Sequence, residues 1–310
     1  MTFDPYPWSK NRINTLEEKI DLIKNDGLKT SPGKIWSIKK LLILDYYVGT
    51  FVKIIRNHPK FQNWYYIDTH CGSGLITFEE DDLNGERFPG SPLIPAFRDS
   101  STPFTDYFFF DEDSEAISSL AHRLSKLKMH VGNRSYSPRL QTFEKSVEFI
   151  LSHKKFGNAF LIFVDPTGFI EVKWDLMEKL FSIQTADIFF TFMTPFITLN
   201  RKLAETDPKI ETHITNFFGN ENWRTADTGE ELVELYISQV QKYKKYVFQI
   251  PVYQTGKRKL YDIIIATNSK GAQNIISDVE KIMDVSTTEM IREALRVVTN
   301  KKRDLTEWMN

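Results

Sequence analysis

The sequence is poor in cysteine, and Cys71 is the only one among its 310 residues. A single thiol excludes an intramolecular disulfide framework and a zinc site built from cysteines. The chain also lacks any run of about 18 apolar residues, so no membrane span is expected. Its start, MTFDPYPWSKN, has no apolar core behind a basic segment and does not resemble a signal peptide. We therefore expect a cytoplasmic protein without membrane contact.

The sequence has no excess of either charge. Its 40 basic and 41 acidic side chains give a formal net charge of −1, which does not indicate a purely electrostatic grip on nucleic acid. The runs QKYKKY (241–246), GKRK (256–259) and NKKRD (300–304) mix or cluster basic residues and offer a local nucleic-acid surface. Such runs more often form solvated faces. The histidines do not recur at metal-ligand spacing, so no metal site is predicted.

Short apolar runs alternate with amphipathic stretches along most of the chain. The runs predict strands at 64–68, 107–113, 139–144, 158–166 and 186–193, and an antiparallel pair at 246–253 and 260–268. The stretches between them predict helices, including one near 15–25, one over 35–55 and one starting at Ser91 as N-cap. Continuous apolar strands separated by helices are typical of a doubly wound, mostly parallel α/β sheet.

This pattern also predicts how the chain is divided. We expect an N-terminal arm over 1–33, a Rossmann-like domain over 34–270 and helices over 271–310. Residues 75–89, LITFEEDDLNGERFP, separate the first strand's glycines from the next helix. We interpret them as an inserted acidic surface loop or lid.

The stretch YYIDTHCGSG (65–74) predicts a strand that runs into a ligand-binding loop. Gly72 and Gly74 let the backbone approach a ligand closely, and Asp68 ends the strand at the same crevice. A dinucleotide fingerprint would need a third glycine at 77, where the chain has Thr77. The pattern D-x-x-C-G-x-G, an acid followed by glycines, suits S-adenosylmethionine, which carries no phosphate. A glycine-rich turn without a ligand is an equally good reading of the loop alone.

Acids at the ends of the next strands strengthen the ligand reading. Asp111 ends the second strand, where a carboxylate can accept hydrogen bonds from both ribose hydroxyls of an adenosine. Glu144, at the predicted end of the third strand, is in reach of the adenine amino group or is a solvated first-turn acid. Asp111 has a similar alternative to ribose binding: it is an acid that stabilises the N-terminus of the following helix.

The fourth strand is followed by Asp165-Pro166-Thr167-Gly168. A carboxylate here can accept a hydrogen bond from a target amino group, so Asp165 is the candidate catalytic residue. Asp-Pro-x-Gly is also an ordinary turn sequence. The motif resembles the D-P-P-[YF] of amino methyltransferases, but Thr167 replaces the second proline and the aromatic Phe169 comes one place late.

These segments together resemble the three-Cys-motif partner (TcmP) proteins, which look like Rossmann-type methyltransferases. The matching segments are WSIKKLLILDYY, the glycine loop, PGSPLIPAF, VDPTGF, FFGNENW and LYDIIIATNSKGAQNI. The resemblance implies S-adenosylmethionine as cofactor and a small partner protein with a three-cysteine motif. His70 departs from it, because common methyltransferase loops have their first glycine there.

The loop residues His70 and Cys71 complete the expected cofactor-binding set. His70 is expected to contact the ligand's carboxylate or to cap the strand. Cys71 lacks a basic partner at a fixed spacing, so we do not expect it to act as a nucleophile. The sequence thus favours a methyltransferase with a macromolecular acceptor, nucleic acid ahead of protein. The alternatives are a non-catalytic adaptor that binds a partner protein and, third, a nicotinamide oxidoreductase.

Overall fold

The computed structural model describes residues 3–80, 83, 85–98, 103–127, 135–254 and 258–295. Its strands are β1 (Ser31–Gly33), β2 (Asn63–Asp68), β3 (Leu75–Phe78), β4 (Arg87–Pro89), β5 (Asp106–Asp111), β6 (Ser135–Leu140), β7 (Asn158–Val164), β8 (Ala186–Phe192), β9 (Tyr246–Tyr253) and β10 (Lys259–Thr267). Its helices are α1 (Pro5–Glu18), α2 (Ser37–Arg56), α3 (Leu93–Ala96), α4 (Ser114–Lys126), α5 (Phe143–Ser152), α6 (Trp174–Phe181), α7 (Thr194–Leu203), α8 (Pro208–Phe218), α9 (Gly229–Val240) and α10 (Ala272–Val285). None of these described helices has the length and apolar character needed to cross a bilayer.

The main sheet has β2 at its centre. Among the described residues it contains seven strands in the order β6-β5-β2-β7-β8-β10-β9. Strands β6, β5, β2, β7 and β8 run parallel, and β10 is antiparallel to both of its neighbours. The predicted α/β class with a mostly parallel sheet and an antiparallel C-terminal hairpin is confirmed. The hairpin forms one end of the sheet, with β10 next to β8 and β9 as the edge strand.

Alternating strand residues pack into two cores, one on each face of this sheet. Tyr66 and Phe163 belong to the core formed with α1, α2, α3, α4 and α10. Ile67 and Ile162 belong to the core formed with α5 to α9. All residues of β7 are buried, as expected for a strand covered on both faces. The doubly wound arrangement follows from these two cores.

The predicted helix near 15–25 is wrong, because α1 begins much earlier. Asp4 accepts a hydrogen bond from the Tyr6 amide as N-cap, and Pro5 occupies the first helical position, where its missing N–H costs nothing. Ile13 and Leu16 on α1 are fully buried in the core that also contains α2. The start of the chain therefore packs against the sheet domain. The domain boundaries themselves stay a prediction.

Residues 75–89 contain two strands rather than only a surface loop. Strand β3 pairs antiparallel with β4 and parallel with β1, which gives a small second sheet. Leu75, Phe78 and Phe88 are at most 1% exposed, so this segment contributes to the core. Residues 81, 82 and 84 lie outside the described part of the chain.

Two further local predictions are wrong. Ser91 is not an N-cap, because the short α3 begins at Leu93 and has no side-chain cap. The third strand of the main sheet, β6, lies at 135–140 rather than 139–144, so Glu144 is in the first turn of α5. Helices α7 and α8 were not predicted, although α8 has local signals in its N-cap Asp207, its first residue Pro208 and the left-handed Gly219 at its end. The predicted last helix is observed over 288–295, and its remainder lies outside the described residues.

Candidate functional site

A cavity of about 460 Å³ lies at the carboxyl ends of β2, β5 and β7. The strand order reverses at β2, and open α/β sheets bind ligands at such reversal points. The loop after β2 forms the cavity floor, while the small sheet and the first turns of α2 supply further walls. The lining includes Ser31, Ser37, Lys40, His70, Cys71, Gly72, Gly74, Asp111, Gln141, Phe143, Asp165, Thr167 and Glu171.

The loop after β2 depends on two glycines. Gly72 has a φ of 58° and Gly74 a φ of 86°, in the left-handed region that other residues avoid. The Gly72 amide donates a hydrogen bond of 2.8 Å to Asp111 Oδ2. A Cβ at Gly72 would lie 2.7 Å from Ser31 Oγ on β1. The loop is therefore held closely between the end of β5 and the small sheet.

The loop does not lead into a helix. After Gly74 the chain enters β3, and Thr77 of β3 pairs with Pro32 of β1. Dinucleotide sites place a pyrophosphate on the helix N-terminus that follows the glycine loop. The described chain has no such helix directly after this loop, which argues against a dinucleotide.

Asp111 ends β5 and lines the cavity, as the sequence predicts. Its Oδ2 accepts the Gly72 amide, and its Oδ1 accepts the Asp113 amide at 3.0 Å. A carboxylate oxygen can accept more than one hydrogen bond, so both oxygens keep capacity for ligand hydroxyls. The capping role that was the alternative for Asp111 belongs to Asp113, which accepts from the first amides of α4.

Asp68 ends β2 but is fully buried beneath the loop and does not line the cavity. Burial raises the pKa of Asp68 to about 8, and nearby Asp165 and Asp111 add to this, while hydrogen bonds from Ser91 and the His70 amide oppose it. Its Oδ2 has no hydrogen-bond partner among the described residues. Direct contact of Asp68 with a cofactor stays a prediction.

Asp165 follows β7 and is held by a lysine that the sequence did not single out. Lys40 Nζ on α2 lies 2.6 Å from each carboxylate oxygen of Asp165. The ammonium also lies over the Tyr261 ring, 5.1 Å from its centroid. The three strand-end acids thus lie on adjacent strands, and one of them has a basic partner.

His70 lies in the cavity wall with contacts on both ring nitrogens. Its Nδ1 lies 2.9 Å from the Thr69 hydroxyl, and its Nε2 lies 3.4 Å from Glu171 Oε1. The contact with His70 lowers the pKa of the Glu171 carboxyl. The ring stacks on Phe143 at 5.3 Å between centroids. His70 therefore connects the loop after β2 with the segment after β7.

Cys71 lines the cavity but is 4% exposed, and burial raises the pKa of its thiol well above the ordinary value. A thiol of raised pKa is a poor nucleophile at neutral pH, in agreement with the sequence argument. The backbone amide of Cys71 donates 2.9 Å to the Phe110 carbonyl. Its place in the loop is thereby tied to β5.

The structure agrees with the second reading of Glu144, a solvated acid in the first turn of a helix. Glu144 is exposed on α5 and does not line the cavity. Gln141, just beyond β6, does line it, and its Oε1 is buried without a hydrogen-bond partner among the described residues. Strand β6 ends at Leu140 and not at 144, so residue 141 rather than 144 follows the strand at the cavity.

One lysine of the basic runs is buried, whereas Lys242 and Lys245 in the same run are exposed. Lys244 of QKYKKY is 1% exposed, and its Nζ donates to the Ile183 and Ala186 carbonyls at 2.6 and 2.5 Å. Burial lowers the pKa of Lys244 to about 8. This lysine does not serve a nucleic-acid surface. Residues 256–257 of GKRK and the NKKRD run lie outside the described residues.

The chain matches no family model and no curated protein. Among solved structures, a Legionella pneumophila protein of the DUF519 family aligns with a TM-score of 0.47 and 10% identity, over 78% of this chain and 89% of its own. Trm1 from Pyrococcus horikoshii, solved with S-adenosyl-L-methionine, gives 0.38 and 10%, over 76% and 57%. The plantazolicin methyltransferase BpumL, solved with SAH, gives 0.37 and 12%, over 85% and 100%. At these scores the similarities carry no argument about the site, and the fold description rests on the strand order.

Proposed function

We propose that the chain is an S-adenosylmethionine-dependent methyltransferase whose acceptor is a macromolecule, nucleic acid ahead of protein. The observation that carries the proposal is the cavity at the strand-order reversal. Its floor is the loop in which Gly72 and Gly74 have left-handed φ angles, and Asp111 at the end of β5 and Asp165 after β7 lie at its rim. The absence of a helix directly after the loop favours an adenosyl ligand without phosphates over a dinucleotide.

The described residues fit the nucleoside part of this cofactor. Asp111 has free acceptor capacity for two ribose hydroxyls, and the buried, unpartnered Oε1 of Gln141 suits the adenine amino group. A buried acceptor without a partner costs stability, so a ligand donor at Gln141 would be stabilising. The glycine loop and His70 are left for the amino-acid end.

The bound cofactor would supply an electrophilic methyl group on a sulfonium. The protein's own part is to bind, orient and exclude water, and positioning of this kind accounts for much of the acceleration in transfer reactions. Asp165 would accept a hydrogen bond from the acceptor group and hold its lone pair toward the methyl. Lys40, at 2.6 Å from both oxygens, fixes the orientation of that carboxylate.

A macromolecular acceptor is supported by exposed apolar side chains beside the Asp165 segment. Ile170 is 52% exposed and Phe196 on α7 is 42% exposed. Phe196 contacts Phe169, whose ring lies 5.8 Å away, so it borders the segment that carries Asp165. An exposed aromatic ring next to an active site can stack on a nucleobase.

Calorimetry with S-adenosylmethionine tests the cofactor assignment directly. The wild type is expected to bind, and Asp111→Asn to bind at least about 10-fold more weakly, since a charge-assisted acceptor for the ribose is lost. Glu112→Gln, a neighbouring cavity acid, is the matched control and should change affinity less. Absence of heat with the wild type, or equal affinity in Asp111→Asn, would contradict the proposal.

The second candidate is a non-catalytic adaptor that binds a small partner protein, which by resemblance would carry a three-cysteine motif. It is favoured by an exposed apolar stripe on α7, formed by Phe196, Leu199 and Leu203 at 42%, 57% and 45% exposure. The pairing of Asp165 with Lys40 also favours it, because the carboxylate is already occupied.

Transfer of labelled methyl groups into fractionated cell extract separates the two candidates. An enzyme labels a fraction, loses this activity in Asp165→Ala, and loses the label when that fraction is treated with nuclease. An adaptor gives no transfer in any fraction, although it still folds. Label that survives nuclease but not protease would move the acceptor from nucleic acid to protein.

A further inference from the structure

Basic side chains are scarce in the cavity wall. Among the described lining residues the lysines are Lys29 and Lys40, with His70 as the remaining basic group. Lys29 is about one third exposed and pairs with Asp113 at 2.6 Å and Glu115 at 3.3 Å, at the start of α4. Lys40 is 12% exposed and pairs with Asp165. The two lysines therefore serve different ends of the cavity.

The ammonium of Lys40 has unused hydrogen-bonding capacity. A lysine Nζ carries three N–H donors, and two suffice for the two oxygens of Asp165 at 2.6 Å. The described residues provide no acceptor for a third. The Tyr261 ring covers one side of the ammonium. A nearly buried cation with a spare donor is suited to an additional anion from the cavity.

The proposed cofactor brings such an anion. Its amino-acid end has one carboxylate, while its ammonium and sulfonium are positive. The acids of the cavity suit the two cations but repel the carboxylate. Since Asp111 and Gln141 would hold the nucleoside at one end, the carboxylate falls to the other end. There Lys40 and Ser37 face the cavity from the first turns of α2.

We propose that Lys40 binds the carboxylate of the cofactor's amino-acid end through its third N–H while it keeps hold of Asp165. This inference rests on the proposed function, which supplies the cofactor. It makes Lys40 a bridge between two negative groups, one on the ligand and one on the protein. Cofactor binding and the orientation of Asp165 are thereby coupled through a single side chain.

Ligand truncation tests the assignment without measuring activity. Binding of S-adenosylhomocysteine is compared by calorimetry with binding of 5′-methylthioadenosine, which lacks the amino-acid end. Lys40→Met should weaken S-adenosylhomocysteine by about 10- to 100-fold, as expected for a charged hydrogen bond. It should change the affinity for 5′-methylthioadenosine by no more than about 2-fold, because this ligand lacks the carboxylate that Lys40 would bind. Lys39→Met, the next residue on α2 and outside the cavity lining, is the matched control.

A decarboxylated S-adenosylhomocysteine tests the same contact from the side of the ligand, with the wild type alone. The wild type should bind this ligand about 10- to 100-fold more weakly than the intact one, and Lys40→Met should bind both alike. Equal losses for all three ligands in Lys40→Met, or no loss for any, would overturn the inference while leaving the cofactor assignment standing. A wild type that binds none of the ligands would instead refute the proposed function.

Discussion

Helix α2 takes part in two ion-pair clusters that differ in how completely their charges are paired. Asp45 is fully buried, and both of its oxygens accept hydrogen bonds from Arg12 and from Arg98 at 2.6 to 2.8 Å. Five residues earlier, Lys40 pairs with Asp165 and keeps a donor without an acceptor among the described residues. In the first cluster the carboxylate is fully paired by the two arginines, and the second cluster lines the cavity.

The position of each cluster explains the difference. Arg12 lies on α1 and Arg98 follows α3, so Asp45 ties two flanking segments to α2. Gly49, one turn after Asp45, leaves room for this, because a Cβ there would lie 2.5 Å from Arg98 Nη1. Asp165 instead ties α2 to the segment after β7 at the cavity rim. Asp45 in the scaffold thus has both oxygens fully engaged, whereas Lys40 at the cavity keeps a spare donor.

The largest expected effect comes from removing Asp45, the carboxylate shared by Arg12 and Arg98. Asp45→Ala should lower the free energy of unfolding by about 3–5 kcal/mol, because it leaves two largely buried guanidinium groups without their carboxylate. Urea denaturation at constant pH measures the change.

The matched variant is Asp165→Ala, which breaks the open pair. It should lower the free energy of unfolding by less, about 1–2 kcal/mol, because only one cation loses its partner and Asp165 is 24% exposed, so cavity water can reach the position it leaves. Equal losses in the two variants would contradict the division into scaffold and site.

The fold class could be predicted because its signals are local. Strands buried on both faces read as continuous apolar runs, such as 158–164, and the periodic apolar face of α2 was predicted within two residues of its bounds. The start of α1 had an equally local signal in Asp4-Pro5. This signal alone does not separate a helix from the expected extended arm, because proline occurs both at first helical positions and in extended segments.

The site could be predicted only in part, because its contacts are not local. The loop glycines and the acids Asp111 and Asp165 were identified from their positions at strand ends. Lys40 lies in the WSIKKLLILDYY segment of the resemblance, but its pairing with Asp165 was not predicted, since the partner lies 125 residues away in sequence. Gln141 was missed for another reason. A shift in the end of β6 moved a different side chain to the cavity than the one expected.

A further prediction concerns Asp68, the buried acid beneath the cavity. The pKa of Asp68 is about 8 in the folded protein and about 3.9 in an unfolded chain. Between these values the folded state keeps a proton that the unfolded chain has released, so stability should fall as pH rises. The contribution of this single group reaches about 1.4 kcal/mol per pH unit. Asp68→Asn, which cannot ionise, should remove this component.

Urea denaturation of wild type and Asp68→Asn at several pH values between about 5 and 7.5 isolates the effect. The difference between the two proteins should favour Asp68→Asn increasingly toward high pH. A difference that stays constant with pH would mean that Asp68 is ionised in the folded state. It would then resemble Asp45, whose buried charge is compensated by hydrogen bonds.

The smallest expected difference, about 1 kcal/mol between two glycine variants, separates backbone strain from packing at the glycine loop. Gly74 and Gly85 have nearly the same φ, 86° and 83°, but a Cβ at Gly74 would lie 2.8 Å from Leu120 Cδ1, whereas nothing lies within 4 Å at Gly85. Gly85→Ala should cost about 1–2 kcal/mol from the left-handed backbone alone. Gly74→Ala should cost about 1 kcal/mol more, because Leu120 on α4 is buried and must move. Thermal and urea unfolding compare the two variants, and equal losses would mean that the loop contacts the scaffold loosely enough for Leu120 to change rotamer without cost.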